Sequence, residues 1–471
     1  MQTECTQVAF RFHPLSQREV VARFDGGTIT SDGGGLLLRE VERRTGVVRQ
    51  FARCFTDHRD PRFIEHSVAE LVGQRVYGLA LGYEDLNDHD ELRRDPLLAT
   101  LVGKADPMGA HRLRDRDMGK ALAGKSTLNR LELTRPEATA KSRYKKIVLD
   151  GAAVDRLFVD VFLQAHRRAP ERLVLDLDAT DDPLHGRQEG RFFHGYYGNY
   201  CYLPLYIFCG EFLLCARLRR SNIDASAGAL EEVQRIVQQI RARWPKVRII
   251  LRADSGFARE AIMAWCEASG VDYVFGLAKN ARLNRVLGRE LQQVKRECER
   301  TGQPARGFKD FTYKTRKTWS RARRVVGKAE HLPEKSNPRF VVTSLSSEEW
   351  TPRALYEDLY CARGDMENRI KEQQLYLFAD RTSTATMRAN QIRLYLSSVA
   401  YLLLHALRRL GLKGTALARA QCQTIRLKLL KIGAQVRVTV RKVWVSLASG
   451  SPYADLFARA YANLHAVPLR T

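Results

Sequence analysis

The 471-residue sequence has no closely spaced pair of cysteines, no excess of acidic over basic residues and no long hydrophobic run. Its nine cysteines are an odd number without a Cys-x-x-Cys pair, which argues against a disulfide framework or a zinc site and favours reduced thiols. The most apolar stretch, residues 394–406, contains two serines and is too short to cross a bilayer, so it suits a buried helix. The first twenty residues lack the apolar segment and the small-residue cleavage site of a secretory signal, so we expect a cytoplasmic protein.

What is present is an ordinary globular composition with a large basic excess. With 44% hydrophobic and 28% charged residues, the chain cannot be wholly disordered, collagen-like or coiled-coil. Lys and Arg outnumber Asp and Glu by 78 to 53, which gives a net charge of +25. Such an excess favours a polyanionic partner, of which nucleic acid is the commonest.

Five regions differ in pattern along the chain. Residues 1–165 have mostly helical spacing and basic stretches, which indicates a helical region that binds DNA. Residues 166–281 predict the order β-β-β-α-β-α-β, and residues 282–338 form a basic insertion with interleaved aromatic residues. Residues 339–380 add a returning strand and a long helix, and residues 381–471 are a basic C-terminal region. The order predicts an α/β fold whose mixed sheet has an antiparallel hairpin on one side and crossover connections on the other.

Three carboxylates stand where strands end or a helix begins. Asp178 ends the first strand, RLVLDLDAT, and Asp254 ends the strand IILRAD. Ligands gather outside the carboxyl ends of strands in sheets with crossover connections, so these two residues can converge. Glu367, on the helix after the insertion, can approach from above the sheet.

Three carboxylates at one point repel each other unless a cation neutralises them, and Mg²⁺ prefers such oxygen ligands. Two ions about 3.5–4 Å apart can activate an attacking oxygen and stabilise a departing one at phosphorus. The pattern therefore indicates phosphodiester chemistry, and the basic excess suits a surface that binds the DNA backbone.

The segments LDLDATDDPLHG, ILRADSGFA and LYCARGDMENRIKEQQ resemble the three blocks of a DDE insertion-sequence transposase with an RNase H-like fold. Most closely the chain resembles the insertion-sequence thirteen-eighty family, whose catalytic region is transposase DDE domain group one and which is related to the insertion-sequence four group. The N-terminal stretch from Phe55 to Pro96 and the later STLNRLE are also similar to that family.

The resemblance implies a Mg²⁺-dependent DNA transposase, with Mn²⁺ as a substitute and two ions per site. Its substrates are the terminal inverted repeats and target DNA, its active form is a homodimer on DNA without a membrane partner, and its cell is bacterial. Asp178, Asp254 and Glu367 match the catalytic and metal-binding acids. In the wider group, a Tyr, an Arg and a Lys accompany the Glu.

The resemblance points to four candidate DNA-binding residues, which are Tyr360, Arg363, Lys371 and Trp319. Tyr360 and Arg363 match the group, Gln374 stands at its Lys position, and Lys371 lies one turn after the Glu and can take the role of that Lys. The long segment before Glu367 resembles the insertion domain that one subgroup of the family has at this place. Within this segment, Trp319 is the candidate to stack on an extruded base.

Other interpretations stand beside these. Asp176 lies on the same strand face as Asp178 and competes for the first metal position. Asp254 can instead cap a helix, and Glu367 can pair with Lys371 at i+4. His185 and His194 flank a Gly- and aromatic-rich hairpin tip, where DNA contact competes with simple turn packing.

Two other functions fit the same pattern. One is a metal-dependent nuclease of the same fold that cuts without strand transfer. The other is a DNA-end-binding protein whose catalysis has decayed. Cleaved and joined DNA products separate the three.

Overall fold

A computed structural model describes residues 9–469, which divide into two compact units. One unit combines residues 9–148 with residues 399–469, so the two ends of the chain fold together. The other unit is the continuous segment Leu149–Ser398. We describe them as the terminal unit and the central unit.

The N-terminal part of the terminal unit is mostly helical, as its spacing predicts. Its strands are β1 (Phe10–Leu15), β2 (Arg18–Ala22), β3 (Ile29–Thr30), β4 (Phe55–Asp57) and β5 (Ile147–Leu149). Its α-helices are α1 (Leu36–Thr45), α2 (Val47–Ala52), α3 (Val68–Leu81), α4 (His89–Leu92), α5 (Pro96–Val102) and α6 (Lys125–Glu132). Helix α3 begins at a capping box, in which Ser67 and Glu70 each bond the other's backbone N–H.

The central unit alternates strands and helices. Its strands are β6 (Arg172–Ala179), β7 (Asp182–Pro183), β8 (Phe192–His194), β9 (Asn199–Tyr202), β10 (Leu205–Cys209), β11 (Phe212–Arg217), β12 (Arg248–Ala253), β13 (Asp272–Leu277), β14 (Ala305–Tyr313), β15 (Arg323–Leu332), β16 (Lys335–Ser336) and β17 (Arg339–Thr343). Its α-helices are α7 (Gly151–Ala165), α8 (Ala229–Arg243), α9 (Glu260–Ser269), α10 (Ala281–Val286), α11 (Gly288–Thr301), α12 (Pro352–Ala354), α13 (Gly364–Lys371) and α14 (Met387–Ala406), the last of which runs on into the terminal unit.

The C-terminal part completes the terminal unit. It contains α15 (Cys422–Ile425), β18 (Ala434–Val438), β19 (Val443–Leu447) and α16 (Ala454–His465). Strand β18 pairs with β3, and the Arg426 guanidinium donates to the backbone oxygens of Leu79 and Ala80 at the end of α3. These bonds add a charged donor to carbonyls in the last turn of the helix, and they connect the N-terminal and C-terminal parts of the terminal unit.

A mixed sheet of nine strands organises the central unit. Eight strands lie in the order β11-β10-β6-β12-β13-β17-β15-β14, and β16 pairs with β15. Strands β6, β12 and β13 are parallel, whereas the hairpin β10–β11 is antiparallel and pairs with β6 through β10. The strands β6, β10, β11, β12 and β13 and the helices α8 and α9 form in the order predicted for residues 166–281, with the hairpin on one side of β6 and the crossover strands on the other. Three short strands between β6 and β10, namely β7, β8 and β9, were not predicted.

The segment at 282–338 extends this sheet. Strands β14 and β15 pair with each other, and β15 also pairs with β17, so these strands continue the sheet past β13. Many of the segment's basic side chains are engaged in ion pairs. Examples are Arg323 with Glu260 and Glu267, and Arg324 with Asp310.

The two faces of the sheet bury different sets of side chains. Leu173, Leu175 and Leu177 of β6 face a large apolar core that includes residues of α8 and α9. The other face carries Val174 and Ile250, which contact the helical segment after β17. Because side chains alternate along a strand, Asp176 and Asp178 share the face of Val174.

Among residues 9–469, no helix has the length and apolar character that a bilayer span requires. The eight cysteines in this range are free thiols, and all except Cys361 are buried. Residues 394–406, predicted to be a buried helix, belong to α14.

Candidate active site

The register between β6 and β12 brings two of the predicted acids together. The parallel pairs run from Arg248 opposite Arg172 to Ala253 opposite Leu177. The next residue on each strand is Asp254 on one side and Asp178 on the other, so both acids follow the last pair of the ladder. The carboxyl ends of parallel strands meet at the same edge of a sheet, which is why residues far apart in sequence become neighbours here.

The backbone turns sharply after β12. The Asp254 side chain caps a short 3-10 helix, Ser255–Phe257, by accepting a hydrogen bond of 2.8 Å from the Gly256 N–H. This is the capping role that competed with metal binding in the sequence, and the two are compatible because the carboxylate has a second oxygen. The turn approaches β13 closely at Gly276, where a Cβ atom would lie 2.9 Å from the Ser255 nitrogen and 2.6 Å from the Tyr360 hydroxyl.

Glu367 comes from the helical segment that covers the same face of the sheet. This segment runs through α12, a π-helix at Leu355–Tyr360, a 3-10 turn at Cys361–Arg363 and α13. Leu355 and Leu359 pack on the apolar part of the face. The Arg252 guanidinium of β12 donates to the Leu359 carbonyl over 2.5 Å, so the segment is fixed to the sheet next to the strand ends.

The three acids line one cavity of about 510 Å³ in the central unit. Its other charged lining residues are Arg363 and Lys371, and its wall also contains His194, Tyr196, Tyr197 and Gln374. The structure therefore brings Asp178, Asp254 and Glu367 to the same cavity, together with two of the four predicted DNA-binding residues.

Arg363 connects two of the acids. Its guanidinium lies 3.4 Å from an Asp178 oxygen and 2.7 Å from a Glu367 oxygen. Although burial disfavours its charge, Asp178 and Glu367 keep the pKa of Arg363 above its ordinary value. The sequence left a pair with Lys371 open as an alternative role of Glu367, but the ion pair that forms is with Arg363, one turn earlier on the helix.

The pKa of Asp178 lies well above its ordinary value. Burial raises its pKa to about 7, Arg363 counteracts the rise, and the carboxylates of Asp254 and Glu367 add to it. One Asp178 oxygen accepts a hydrogen bond of 2.9 Å from the Ala179 N–H. A single guanidinium therefore does not offset the burial and the mutual repulsion of these acids.

Asp176, the competitor for the first metal position, is engaged elsewhere. Both of its oxygens accept from the Arg252 guanidinium, at 2.5 and 2.8 Å, and both side chains are buried. The pair follows from the register, which places Arg252 directly opposite Asp176. Asp176 does not line the cavity, whereas Asp178 does.

The chemistry of the three carboxylates fits a divalent cation of the magnesium type, whereas their spacing in this conformation is wider than a bound ion requires. Carboxylate oxygens are the ligands that Mg²⁺ prefers, and a cation would relieve the repulsion that raises the pKa of Asp178. Within residues 9–469, no three Asp, Glu, His or Cys side chains are grouped closely enough to hold a metal ion. Asp178, Asp254 and Glu367 are the residues that would hold one, with Arg363 providing positive charge at the same place.

The remaining predicted residues have different positions. Lys371 is exposed at the cavity, and its ammonium group has no hydrogen-bond or ion-pair partner within the part of the chain that the structure describes. Gln374, at the position of the group's Lys, donates to the Asp181 carbonyl over 3.0 Å. This bond connects the π-helix at Glu372–Tyr376, which follows α13, to the loop after β6. Tyr360 is half-buried beside Gly276, next to the cavity.

Trp319 lies away from the cavity. The residue is only 6% exposed, with the Tyr313 ring packed edge-on at 5.7 Å and the Arg323 guanidinium 5.4 Å from the centre of the Trp319 ring. In this conformation, therefore, its ring has no free face for a base. Its role stays a prediction.

The sequence did not identify Tyr196 and Tyr197 as site residues. They lie at the tip of the hairpin β8–β9, which His194 flanks, and all three line the cavity. The available signal was the run FFHGYYGNYCY, in which two glycines bracket two aromatic residues in a short hairpin. His185 is exposed and is not among the lining residues.

The mixed sheet and the acid-lined cavity at its strand ends suit an enzyme that acts on phosphodiesters, and a comparison with known families agrees with that class. The family of transposase DDE domain group 1 matches residues 12–469, nearly the whole chain. The chain therefore belongs to the transposase DDE domain group 1 family, which supports a transposase-type function and implies DNA binding. A search of curated proteins finds no match.

Proposed function

We propose that this protein is a DNA transposase that cuts at the ends of an insertion sequence and joins the freed ends to target DNA. The observation that carries the proposal is the convergence of Asp178, Asp254 and Glu367 on one cavity. The strand register and the covering helix are what bring them there. The family match over residues 12–469 supports the same chemistry.

We assign the catalytic core to the RNase H-like fold. The support is the order β11-β10-β6-β12-β13, in which a three-stranded antiparallel part is followed by two strands parallel to β6. We also place the chain in the insertion-sequence thirteen-eighty family on its three sequence blocks. In this proposal β14 and β15 belong to an insertion that extends the sheet beyond the core.

The residues of the cavity have separate roles in this mechanism. Asp178, Asp254 and Glu367 would hold Mg²⁺, or Mn²⁺ in its place. When bound, two such ions activate an attacking oxygen and stabilise a departing one at the scissile phosphate. Arg363 offsets part of the negative charge of Asp178 and Glu367 in the metal-free protein. Lys371 is available for a phosphate oxygen because no described side chain engages its ammonium group.

Asp178 is protonated in about half of the metal-free molecules at pH 7, because burial raises its pKa to about 7. The proton must leave the carboxyl group before that group can bind a cation. Binding of the metal ion is therefore expected to release this proton to solvent.

The decisive experiment uses DNA that carries the inverted repeats flanking the coding region, with Mg²⁺ and the full-length chain. The wild-type protein should cut at the repeat ends and yield joined products. Asp254→Asn and Glu367→Gln should abolish both products while retaining DNA binding. The matched control is Asp365→Asn, an exposed carboxylate on α13 that does not line the cavity.

The products separate the alternatives. Cutting without joining would assign the protein to nucleases of this fold, and binding without cutting would indicate decayed catalysis. Full cleavage by Asp254→Asn would refute the assignment of the site.

We further propose that residues 1–165 bind the element ends. The support is a cleft of about 480 Å³ in the terminal unit, lined by seven basic side chains and three carboxylates. The basic residues are Arg59, Arg93, Arg112, Arg114, Arg116, Lys120 and Arg130. Arg114 and Arg116 are exposed, so they can reach phosphate groups without breaking buried contacts.

The salt dependence of DNA affinity tests this cleft. Each phosphate contact adds about 0.9 to the slope of log affinity against log salt, so Arg114→Ser with Arg116→Ser should lower that slope by about 2. The control is the exposed pair Arg167→Ser with Arg168→Ser, which lies in the central unit outside the cavity. An unchanged slope in the first double variant, or an equal loss in the control, would remove the cleft from the proposal.

We also propose that the active form is a homodimer on DNA in the bacterial cytoplasm. Two element ends must be joined in one complex, and a pair of active sites can process them together. Measuring the mass of the complex with one and with two repeat-bearing duplexes tests this stoichiometry. A complex that joins both ends with a single chain would contradict it.

A further inference from the structure

The hairpin β8–β9 displays aromatic rings to solvent. Phe192, Phe193 and Tyr200 are exposed on its strands, and Tyr196 at its tip is 86% exposed. Surface aromatic residues that stand singly need no explanation, but a group of them marks a binding surface. These four rings lie within nine residues of sequence.

The hairpin is held firmly in spite of this exposure. Strand β9 pairs with β7 as well as with β8, and Cys201 and Tyr202 at its end are buried. The Ser221 hydroxyl donates to the Phe192 carbonyl over 2.9 Å, and the Tyr202 hydroxyl donates to the Glu189 carbonyl over 2.5 Å. The rings are therefore presented by a fixed platform.

The tip is a tight turn between two glycines. Gly198 has a φ of +69°, a conformation that favours glycine, and its N–H donates to the His194 carbonyl over 2.8 Å. The Tyr197 hydroxyl donates to the Ala179 carbonyl over 3.3 Å, directly after Asp178. Tyr197 thus fixes the tip to the end of β6, while Tyr196 beside it points to solvent.

The place of the tip decides what it can bind. His194, Tyr196 and Tyr197 line the same cavity as Asp178, Asp254 and Glu367. A phosphodiester held at these acids would bring the neighbouring nucleotide to the wall that carries the tyrosines. An aromatic ring stacks on the face of a base. Within a duplex that face is covered by the neighbouring bases, so only an unstacked base can stack on the tyrosine ring.

We propose that the tip of hairpin β8–β9, with Tyr196 as the stacking ring, binds an unpaired nucleobase next to the scissile phosphate. This proposal rests on the transposase function proposed above. Tyr197 is a positioning residue, since its hydrogen bond to Ala179 orients the tip. The Tyr196 ring has the free face that the Trp319 ring lacks.

The test is binding of a fluorescent base by the full-length chain in EDTA, where no cleavage occurs. The probe is a duplex with the inverted repeat that flanks the coding region, carrying 2-aminopurine opposite an abasic site at the first base beyond the repeat. The wild-type protein should quench its fluorescence through stacking. Tyr196→Ala should lose the quenching and bind the probe about tenfold more weakly, whereas Tyr196→Trp should retain both.

The controls separate stacking from other effects. Tyr461→Ala removes a tyrosine of the terminal unit that is 49% exposed, and it should leave quenching unchanged. Because Tyr196 is exposed, its removal leaves the buried core intact, which thermal unfolding verifies. Quenching that survives Tyr196→Ala but disappears in Trp319→Leu would overturn the proposal, and so would a Tyr196→Ala variant that binds the probe normally but no longer self-associates.

Failure of the proposal and failure of the transposase function give different results. If the wild-type protein cuts repeat ends with Mg²⁺ while Tyr196→Ala quenches normally, the hairpin proposal fails and the function stands. If Tyr196-dependent quenching occurs but no variant or wild-type protein cuts DNA, the nucleobase site stands and the transposase function fails.

Discussion

Replacing Asp178 by Asn should stabilise the metal-free protein, and the gain should grow as the pH rises. Burial raises the pKa of Asp178 from 3.8 to about 7, with Asp254 and Glu367 adding to the effect of burial. The folded protein therefore holds this proton more tightly than the unfolded chain. The contribution of the protonated Asp178 carboxyl group to the free energy of unfolding is complete below pH about 4 and is lost as the pH rises through about 7.

The magnitude follows from the two pKa values. Each pKa unit corresponds to about 1.4 kcal/mol, so ionising Asp178 in the folded metal-free protein costs up to about 4 kcal/mol above pH 7. Asn has the shape of the neutral acid and avoids this cost. Asp178→Asn should thus add up to about 4 kcal/mol to the free energy of unfolding at pH 8, and about 1.5 kcal/mol at pH 5.

Urea denaturation in EDTA at both pH values measures the effect. Tryptophan fluorescence is a suitable signal because four of the five tryptophans, Trp244, Trp265, Trp319 and Trp350, belong to the central unit. Asp365→Asn serves as the control for removing a carboxylate from an exposed position. A variant that is destabilised at pH 8, or equally stabilised at pH 5 and pH 8, would refute the reasoning.

Two further predictions concern the same cavity. Mg²⁺ affinity should fall by up to tenfold per pH unit below about pH 7, because protons compete for the Asp178 carboxylate, and calorimetry in two buffers should detect the released proton. A pH-independent affinity would contradict this competition. Gly276→Ala should cost about 1–3 kcal/mol and impair cleavage, since the new Cβ meets the Asp254 turn and Tyr360, whereas Gly288→Ala has open space and should be nearly neutral. Equal unfolding midpoints for these two variants would show that the turn adjusts freely.

The local chemistry of the site could be predicted from residues close together in sequence. The alternation in RLVLDLDAT predicts a strand with Asp176 and Asp178 on one face, and the strand forms at Arg172–Ala179. The hairpin at Cys209-Gly210 and the following crossover strands also form as predicted. Hydrophobic periodicity is a local property, so it predicts such elements well.

Contacts between distant segments could not be predicted in the same way. Whether Asp176 or Asp178 faces the cavity depends on the register of β6 with β12, which places Arg252 opposite Asp176 and leaves Asp178 at the end. Arg363 matched a family position, but its ion pair with Asp178 spans 185 residues and depends on how the covering helix packs.

Exposure was also decided by the tertiary structure. Trp319 and Tyr196 are both aromatic residues in basic surroundings, and sequence alone favoured Trp319 as the ring that stacks on a base. Tyr313 and Arg323 cover Trp319, whereas the turn between Gly195 and Gly198 leaves Tyr196 in solvent.

The sequence by itself therefore determined the main strands and helices of residues 166–281 and the acids they carry, because those follow from the spacing of neighbouring residues. The tertiary structure alone decided that Asp176 pairs with Arg252 outside the cavity, that the Arg363 guanidinium lies between two of the acids, and which aromatic rings remain free. Those outcomes depend on strand register and on the packing of segments far apart in the chain, and neither is a property of any local stretch of residues.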